Sequence, residues 1–364
     1  MGLAALAPAP ADPATDPVAG AAVRGRRARP RVAVDTPQLS VVIVNFCQWN
    51  NTARLTEQLR SSEAVRRGAA EVVIIDNHSP GTATAKRLRK LSGVSVVRSG
   101  RNEGFARAVN RGSRRSRGEW VLLLNPDVTV DPGFLDDVLE FASRFPAIDA
   151  KAGVVGFQLR HQDGSKQASA GVFPTLFRTL AGLFVPRSRR KCQHQRLNRR
   201  QQVPWVTGGC LLVRRDCFEQ LDGLDESFFL YYEDVDFCRR ARDGGWGVWY
   251  DPALQVTHHF PLHTRSVPAP LRLVTRHALL TYARKHWAGW QARVLGGVVW
   301  LEAQARALLA RRRKDEAAVV CFRKLGELVG HVLNDRTAEA DAAIRFAAEF
   351  LSEVAHANDR PASG

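Results

Sequence analysis

The chain contains no uninterrupted run of 18 or more apolar residues, so no stretch of it reads as a membrane span. Its six cysteines form no C-x-x-C pair, which argues against the common zinc and dithiol motifs. Cys210 and Cys217 flank a strand-like run and Cys238 falls in a helix-like one, a scatter that reads as reduced cysteine in an intracellular protein. There is no internal repeat, no zinc-finger spacing and no aromatic RNP box, so nucleic acid is not the expected partner. Residues 1–37 lack the sustained apolar core of a signal peptide. Their arginines (Arg24, Arg26, Arg27, Arg29, Arg31) follow the Ala/Pro-rich part instead of preceding it. They read as a basic, disordered leader.

What is present fits a globular chain. Its 364 residues suffice for one large or two moderate domains, and 45% hydrophobic content is ordinary for a folded protein. A formal net charge of +17 points to an anionic partner: a nucleotide, a phospholipid surface or a nucleic acid.

Two short β-branched runs, S-V-V-I-V-N (40–45) and V-V-I-I-D-N (72–77), show no alternation. That pattern suits strands of a parallel sheet buried on both faces. The helical spacing of Leu55 and Leu59 between them completes a βαβ unit. Ligands of such sheets bind beyond the carboxyl ends of the strands, where Asn45, Asp76 and Asn77 fall. An Asx turn before Ser79-Pro80-Gly81 accounts for Asp76 and Asn77 equally well. Further on, R-N-E-G-F-A-R-A-V-N opens a helix near Phe105. Free N–H groups there, beside Gly104, Arg101 and Arg107, suit an anion such as a diphosphate.

A fourth strand, W-V-L-L-L (120–124), ends in Asn125-Pro126-Asp127. The proline stops the ladder and sends Asp127 to the rim, where a carboxylate beside a diphosphate holds Mg²⁺ or Mn²⁺; a turn aspartate is the alternative. Residues 153–203 read as strand-poor and basic, an insertion or loop over the site, with R-S-R-R-K at 187–191.

The segment 205–250 carries a glycine pair, Gly208-Gly209, an apolar strand, and then the cluster Glu233, Asp234 and Asp236 at a helix start. Flanking aromatics make that cluster a candidate for a carboxylate base with a raised pKa, while acids in a first helical turn are also ordinary. Asp236 can pair with Arg240 one turn on. Another strand ends in His258-His259. From about Leu271 the chain is helical. Trp287, Trp290 and Trp300 among arginines suit a helix lying on a membrane, or one packing its apolar face on the main domain.

In order and spacing, these segments resemble the family 2 glycosyltransferases of the GT-A fold, in the rhamnosyltransferase-like branch. The matching pieces are V-V-I-V-N-F (41–46), V-V-I-I-D-N-H-S (72–79), R-N-E-G-F-A-R-A-V-N (101–110) and L-L-L-N-P-D-V (122–128). T-G-G-C-L-L-V-R-R (207–215), G-L-D-E-S-F-F-L-Y-Y-E-D-V-D-F-C-R-R (223–240) and Y-D-P-A-L-Q-V-T-H-H (250–259) complete them.

The resemblance implies a Rossmann-like α/β fold: a mixed, mainly parallel central sheet flanked by helices, with a C-terminal helical extension. The divisions are a leader (1–37), a GT-A domain (38–270) and a helical, membrane-associated region (271–364). It assigns the nucleoside of a nucleotide-sugar to Asn45, Asp76 and Asn77, and the sugar-phosphate portion to Arg101, Asn102, Gly104 and Asn125. Mg²⁺ or Mn²⁺ falls to Asp127 and His258, close approach of the acceptor to Gly208 and Gly209, and the base to Asp234, with Glu233 its rival. Asn125 stands where many relatives carry a carboxylate, which leaves the metal less tightly specified.

The implied reaction is inverting transfer of a sugar, such as rhamnose from dTDP-rhamnose, to a glycan or polyprenyl-linked acceptor. It belongs to cell-surface polysaccharide synthesis at the cytoplasmic face of the inner membrane. The alternative from another class is a non-catalytic, basic α/β protein that binds nucleotide or nucleic acid.

Overall fold

The computed structural model describes residues 36–182, 197–259 and 267–358. The leader up to residue 35 and the 187–191 basic run lie outside the described residues.

The strands read from unbroken apolar runs are buried on both faces. In β1 (Leu39–Asn45) every residue is buried. Val41 and Ile43 enter one core cluster with Leu55 and Leu59 of α1 (Trp49–Arg60), and Val42 and Val44 enter a second, opposite one. Two apolar faces leave no room for alternation, which is why the sequence shows none. After the short helix α2 (Glu63–Arg66) the chain continues through β2 (Ala70–Asp76), α3 (Ala83–Leu88), β3 (Val94–Arg98), α4 (Phe105–Arg115) and β4 (Trp120–Leu124). β5 (Val128–Thr129) and α5 (Phe134–Arg144) follow.

Where it is described, the 153–203 region is not the loop that its composition suggested. It opens with β6 (Ala152–Arg160), nine residues in the interior of the sheet, followed by β7 (Lys166–Gln167), β8 (Ala170–Gly171) and α6 (Leu176–Ala181). Glycines masked the strand. A Cβ on Gly156 would stand 2.4 Å from Val206 and one on Gly153 2.7 Å from Cys217 Sγ, so close packing requires residues that dilute the apolar pattern.

β9 (Gln201–Gln202), β10 (Trp205–Val206), β11 (Cys210–Arg214), α7 (Arg215–Gln220), α8 (Glu233–Asp243) and β12 (Gly247–His258) complete the sheet region. The strand order is β3-β2-β1-β4-β11-β6-β12-β5. β1 to β4, β6 and β12 run one way, and β11 and β5 run against them. This is the mixed, mainly parallel sheet that the family resemblance implied.

Four helices end the described chain: α9 (Ala269–His286), α10 (Gly289–Arg312), α11 (Glu316–Leu333) and α12 (Thr337–Asn358). α9 joins them to the sheet layer, with Ala278 and Tyr282 in a sheet-side core cluster and Leu273, Val274 and Leu280 in the helical one. Asp236 locks that junction. Its carboxylate is fully buried and is met by Arg240 at 2.7 Å, Lys285 at 2.8 Å and His286 at 2.7 Å. Burial alone would raise its pKa, but the His286 hydrogen bond and the Arg240 and Lys285 charges hold it at about 2.

Asp236→Ala removes the buried acceptor that Arg240, Lys285 and His286 share, and equilibrium unfolding should show a loss of about 3–5 kcal/mol. The wild-type contribution is a depressed-carboxylate one. It is complete above the unfolded pKa near 3.8 and is lost as pH falls toward about 2, and it should be absent from the acid limb of the variant's stability profile.

Candidate active site

Sheet register brings the polar strand ends together. Asn45 pairs with Asp76, and Leu124 pairs with both Ile43 and Cys210. Asn125 and Gly209, one step beyond those pairs, therefore share the edge that carries Asn45 and Asp76. The Asn125 N–H donates to the Gly209 carbonyl at 3.2 Å, and the Gly208 N–H donates to Asp234 Oδ2 at 2.9 Å. The glycine turn thus stands between the Asn125–Asp127 turn and the acidic helix. A Cβ on Gly208 would meet Asp234 only at 3.6 Å, an ordinary contact. The chain's own packing does not demand glycine there, so its smallness leaves open space beside the carboxylate.

The three acids at the start of α8 have three environments. Asp234 is half-buried, and its carboxylate is oriented by the Gly208 and Val235 N–H groups, the latter at 2.8 Å. Glu233 is buried, and its Oε2 has no hydrogen-bond partner among the described residues. Burial first, and then the neighbouring Asp234 charge, push the Glu233 pKa well above the usual glutamate range. Enclosed in the interior, it is poorly placed to take a proton from an external substrate. Asp236 is the buried anchor described above. The preceding residues, Tyr231 and Tyr232, both lie in the left-handed region at φ 74° and 67°. Such conformations cost on the order of 1–3 kcal/mol each and collect at functional sites.

At the far side of the turn, Asp127 Oδ1 lies 3.4 Å from His258 Nε2. The side-chain amide of Gln167 reaches His258 Nδ1, its Nε2 at 3.1 Å and its Oε1 at 3.3 Å. With the amide oxygen turned to an Nδ1–H, Nε2 is left as the ligating nitrogen, the usual support of a metal-bound imidazole. His259 is otherwise employed, by Thr129 and by Gln162 at 2.9 Å. Gln167 escaped the sequence reading because it lies in the region taken for a loop. No group of three or more His, Cys, Asp or Glu suited to a metal occurs among the described residues. A carboxylate and an imidazole in contact suit a divalent cation that takes its remaining ligands from phosphate and water.

The nucleoside-side residues are less open than their strand-end positions implied. Asn45 is fully buried, accepting from Thr52 at 2.7 Å and donating to Ser79 Oγ at 2.9 Å. Asp76 accepts the Ser79 N–H at 2.9 Å and faces Arg98 at 3.6 Å, so the turn it was also read as forming is present. Asn77 holds the next loop, donating to Asn102 Oδ1 at 2.8 Å and accepting from the Glu103 N–H at 3.0 Å.

The first N–H of α4 is not free for an anion. The Phe105 N–H donates to the Phe229 carbonyl at 2.6 Å. Gly104, at φ 88°, admits this contact because a Cβ there would stand 2.6 Å from the same oxygen. Phe229 belongs to the acidic segment, so this cap ties the 102–104 loop to it. Arg107 is 3.4 Å from Glu226, and Arg101 lines a small cavity of about 80 Å³ against Asp341 and Arg345 of α12.

The family described as glycosyltransferase like family 2 matches residues 37–278. The chain belongs to that family. It is 34% identical over 277 residues to an N-acetylglucosaminyl-diphospho-decaprenol L-rhamnosyltransferase of Mycobacterium tuberculosis, covering 71% of this chain and 88% of the relative. It is also 26% identical over 171 residues to a rhamnosyltransferase of Escherichia coli, covering 46% of this chain and 62% of that one. Among solved structures it is similar to a mannosyltransferase from Pyrobaculum calidifontis in complex with GDP-Man and Mn²⁺, at 15% identity and a TM-score of 0.46. That match covers 85% of this chain and 88% of the other. Family membership displaces the reading of a non-catalytic binding protein.

Because burial raises the Glu233 pKa above the unfolded glutamate value of 4.5, its carboxyl costs stability as pH rises through that value. Glu233→Gln should therefore raise the denaturation midpoint at pH 7 and leave it unchanged at pH 4. Equal effects at both values would contradict the assignment.

Proposed function

We propose that this glycosyltransferase moves a rhamnosyl residue from dTDP-rhamnose to a hydroxyl of a polyprenyl-diphosphate-linked acceptor, inverting the anomeric configuration. The sugar and the acceptor class rest on the 34%-identical mycobacterial relative and its printed activity. The observation that carries the chemistry is the run of contacts from the Asn125–Asp127 turn through Gly209 and Gly208 to Asp234. It brings a half-buried carboxylate beside open space and next to the turn that bears Asp127.

In this reading Asp234 accepts the proton of the acceptor hydroxyl as its oxygen attacks the anomeric carbon in line with the departing nucleoside diphosphate. The Gly208 and Val235 N–H groups hold the carboxylate in one orientation, so little reorganisation precedes proton transfer. Gly208 and Gly209 let the acceptor approach the backbone. Asp76 and Asn77 shape the nucleoside end, with Asn45 supporting them from beneath through Thr52 and Ser79, and Asn102, held by Asn77, lies toward the sugar-phosphate portion. Asp127 and His258 are the residues that would hold Mg²⁺ or Mn²⁺, with Gln167 orienting the imidazole. When bound, the cation supplies neutralisation of charge on the leaving diphosphate.

Asp234→Asn should lower the turnover of dTDP-rhamnose with a lipid-diphosphate acceptor by roughly 10²–10⁴-fold while leaving nucleotide affinity within about twofold. Near-normal turnover would refute the assignment of the base. Asp127→Ala should remove the Mn²⁺-dependent part of the thermal shift given by dTDP-rhamnose, and a chelator should do the same to the wild type. A larger Mn²⁺-dependent shift with UDP- or GDP-sugars would reassign the donor.

A further inference from the structure

The outer face of α10 is built the wrong way round for a helix that meets only protein and water. Its inner face consists largely of small residues, Ala292, Gly296, Ala303, Ala307 and Ala310 with Leu295 and Val299, all buried. Its large apolar residues point outward. At 3.6 residues per turn, Trp290, Val294, Leu301 and Leu308 fall within an arc of about 40°. Their exposures run from 43% at Val294 to 62% at Leu301, and Trp300 and Leu309 flank them. Exposed apolar ridges of this length mark an interaction surface.

Charge selects the partner. The only acid in α10 is Glu302, which is occupied by Arg272 at 3.2 Å, Arg276 at 2.7 Å and Arg306 at 2.8 Å. The exposed residues of the helix therefore include no carboxylate, while Arg293 and Arg311 border the ridge. The ridge runs into four consecutive exposed cations, Arg311 to Lys314, at the turn before α11. A protein partner requires shaped pockets and mixed polarity, whereas an apolar strip with tryptophans, bordered by Arg293 and Arg311 and ending in four cations ahead of Asp315 and Glu316, fits an anionic bilayer. No described helix is long and apolar enough to cross a membrane, so the contact lies in the plane of the surface.

We propose that α10 docks the protein on an anionic phospholipid surface, its apolar ridge among the acyl chains and the 311–314 turn against the headgroup phosphates. The placement deepens the proposed function and, for its purpose, rests on it, since a lipid-linked acceptor is presented at such a surface. Trp290 follows by four residues the His286 that binds Asp236 at 2.7 Å, and Asp236 lies two residues beyond Asp234. The ridge therefore begins four residues along the chain from a side chain that grips the helix carrying the base.

The test uses the full chain and flotation with phosphatidylcholine vesicles, with and without phosphatidylglycerol, at several salt concentrations. The wild type should bind the phosphatidylglycerol vesicles, more weakly as salt rises. The triple variant Trp290→Ser, Leu301→Ser, Leu308→Ser should bind roughly tenfold less or worse. Its melting temperature and nucleotide-induced shift should stay at wild-type values. Arg311→Gln with Arg312→Gln and Arg313→Gln should reduce binding to the anionic vesicles and flatten its salt dependence. Absence of wild-type binding, or unchanged binding by the serine variant, overturns the proposal. So does a dimer in light scattering that the serine variant dissolves without altering vesicle binding, which would make the ridge a self-interface. No arm of this test measures sugar transfer, so vesicle binding without rhamnosyl transfer would sink the functional reading alone.

Discussion

The arrangement around the acidic turn depends on one buried charge. Asp236 has no exposed surface, and the cost of removing a carboxylate from water is met only because Arg240, Lys285 and His286 close on it from two helices. Arg240 continues outward, donating to the carbonyls of Leu221 at 2.7 Å and Gly223 at 2.9 Å. Asn110 of α4 then holds the next residue, Leu224, through both its N–H and its carbonyl. The rotation of α8 is thereby fixed against α4 and α9 together. Rotation matters because Glu233, Asp234 and Asp236 share fewer than two turns of helix and must face different ways. With Asp236 turned toward α9, Glu233 is enclosed and Asp234 meets the Gly208 N–H.

Backbone strain gathers at the same edge. Of the seven non-glycine residues with positive φ among those described, Cys47 and His78 follow the ends of β1 and β2, and Tyr231 and Tyr232 precede α8. Each position turns the chain sharply just where a strand or helix delivers a polar group. Relaxing Tyr231 and Tyr232 to ordinary conformations would withdraw Phe229 from Gly104 and shift Asp234 off the glycine turn. The hydrogen bonds and ring contacts that hold these residues, such as Tyr232 against Tyr282 at 5.5 Å, offset the strain.

The sheet was legible wherever burial alone decided it. β1, β2 and β4 are runs of Val, Ile and Leu because both faces are covered, and their polar ends mark the site edge without further information. β6 was illegible because its glycines answer to distant neighbours, Val206 and Cys217, which periodicity cannot see. Gln167 and Phe229 were hidden for the same reason: one supports a histidine 91 residues away, the other caps a helix from a different segment. Asn45 was legible as a strand-end amide, but its burial beneath the turn depends on Thr52 and Ser79, contacts that strand position does not reveal. The Asp236–Arg240 pair was legible from spacing, yet Lys285 and His286, which make that charge tolerable, come from a helix some fifty positions on.

Those two residues also give the membrane proposal its geometry. Only Trp287 and Ala288 separate the end of α9 from the start of α10, and the Trp287 indole donates to the Pro174 carbonyl at 2.9 Å, so the connection is pinned. A flexible tether would let a lipid-facing helix sit anywhere relative to the base. Here Lys285 and His286, two of the three partners of Asp236, lie on the final turn of α9, and the ridge starts one turn of chain later. A surface that captured Trp290 would thus hold the Asp234 side of the sheet edge at a set height above the headgroups. An acceptor anchored by a polyprenyl chain has its reactive hydroxyl confined near that same plane. Rigid placement turns a search through three dimensions into one along a surface, and proximity of that kind contributes to rate without any new contact to the sugar.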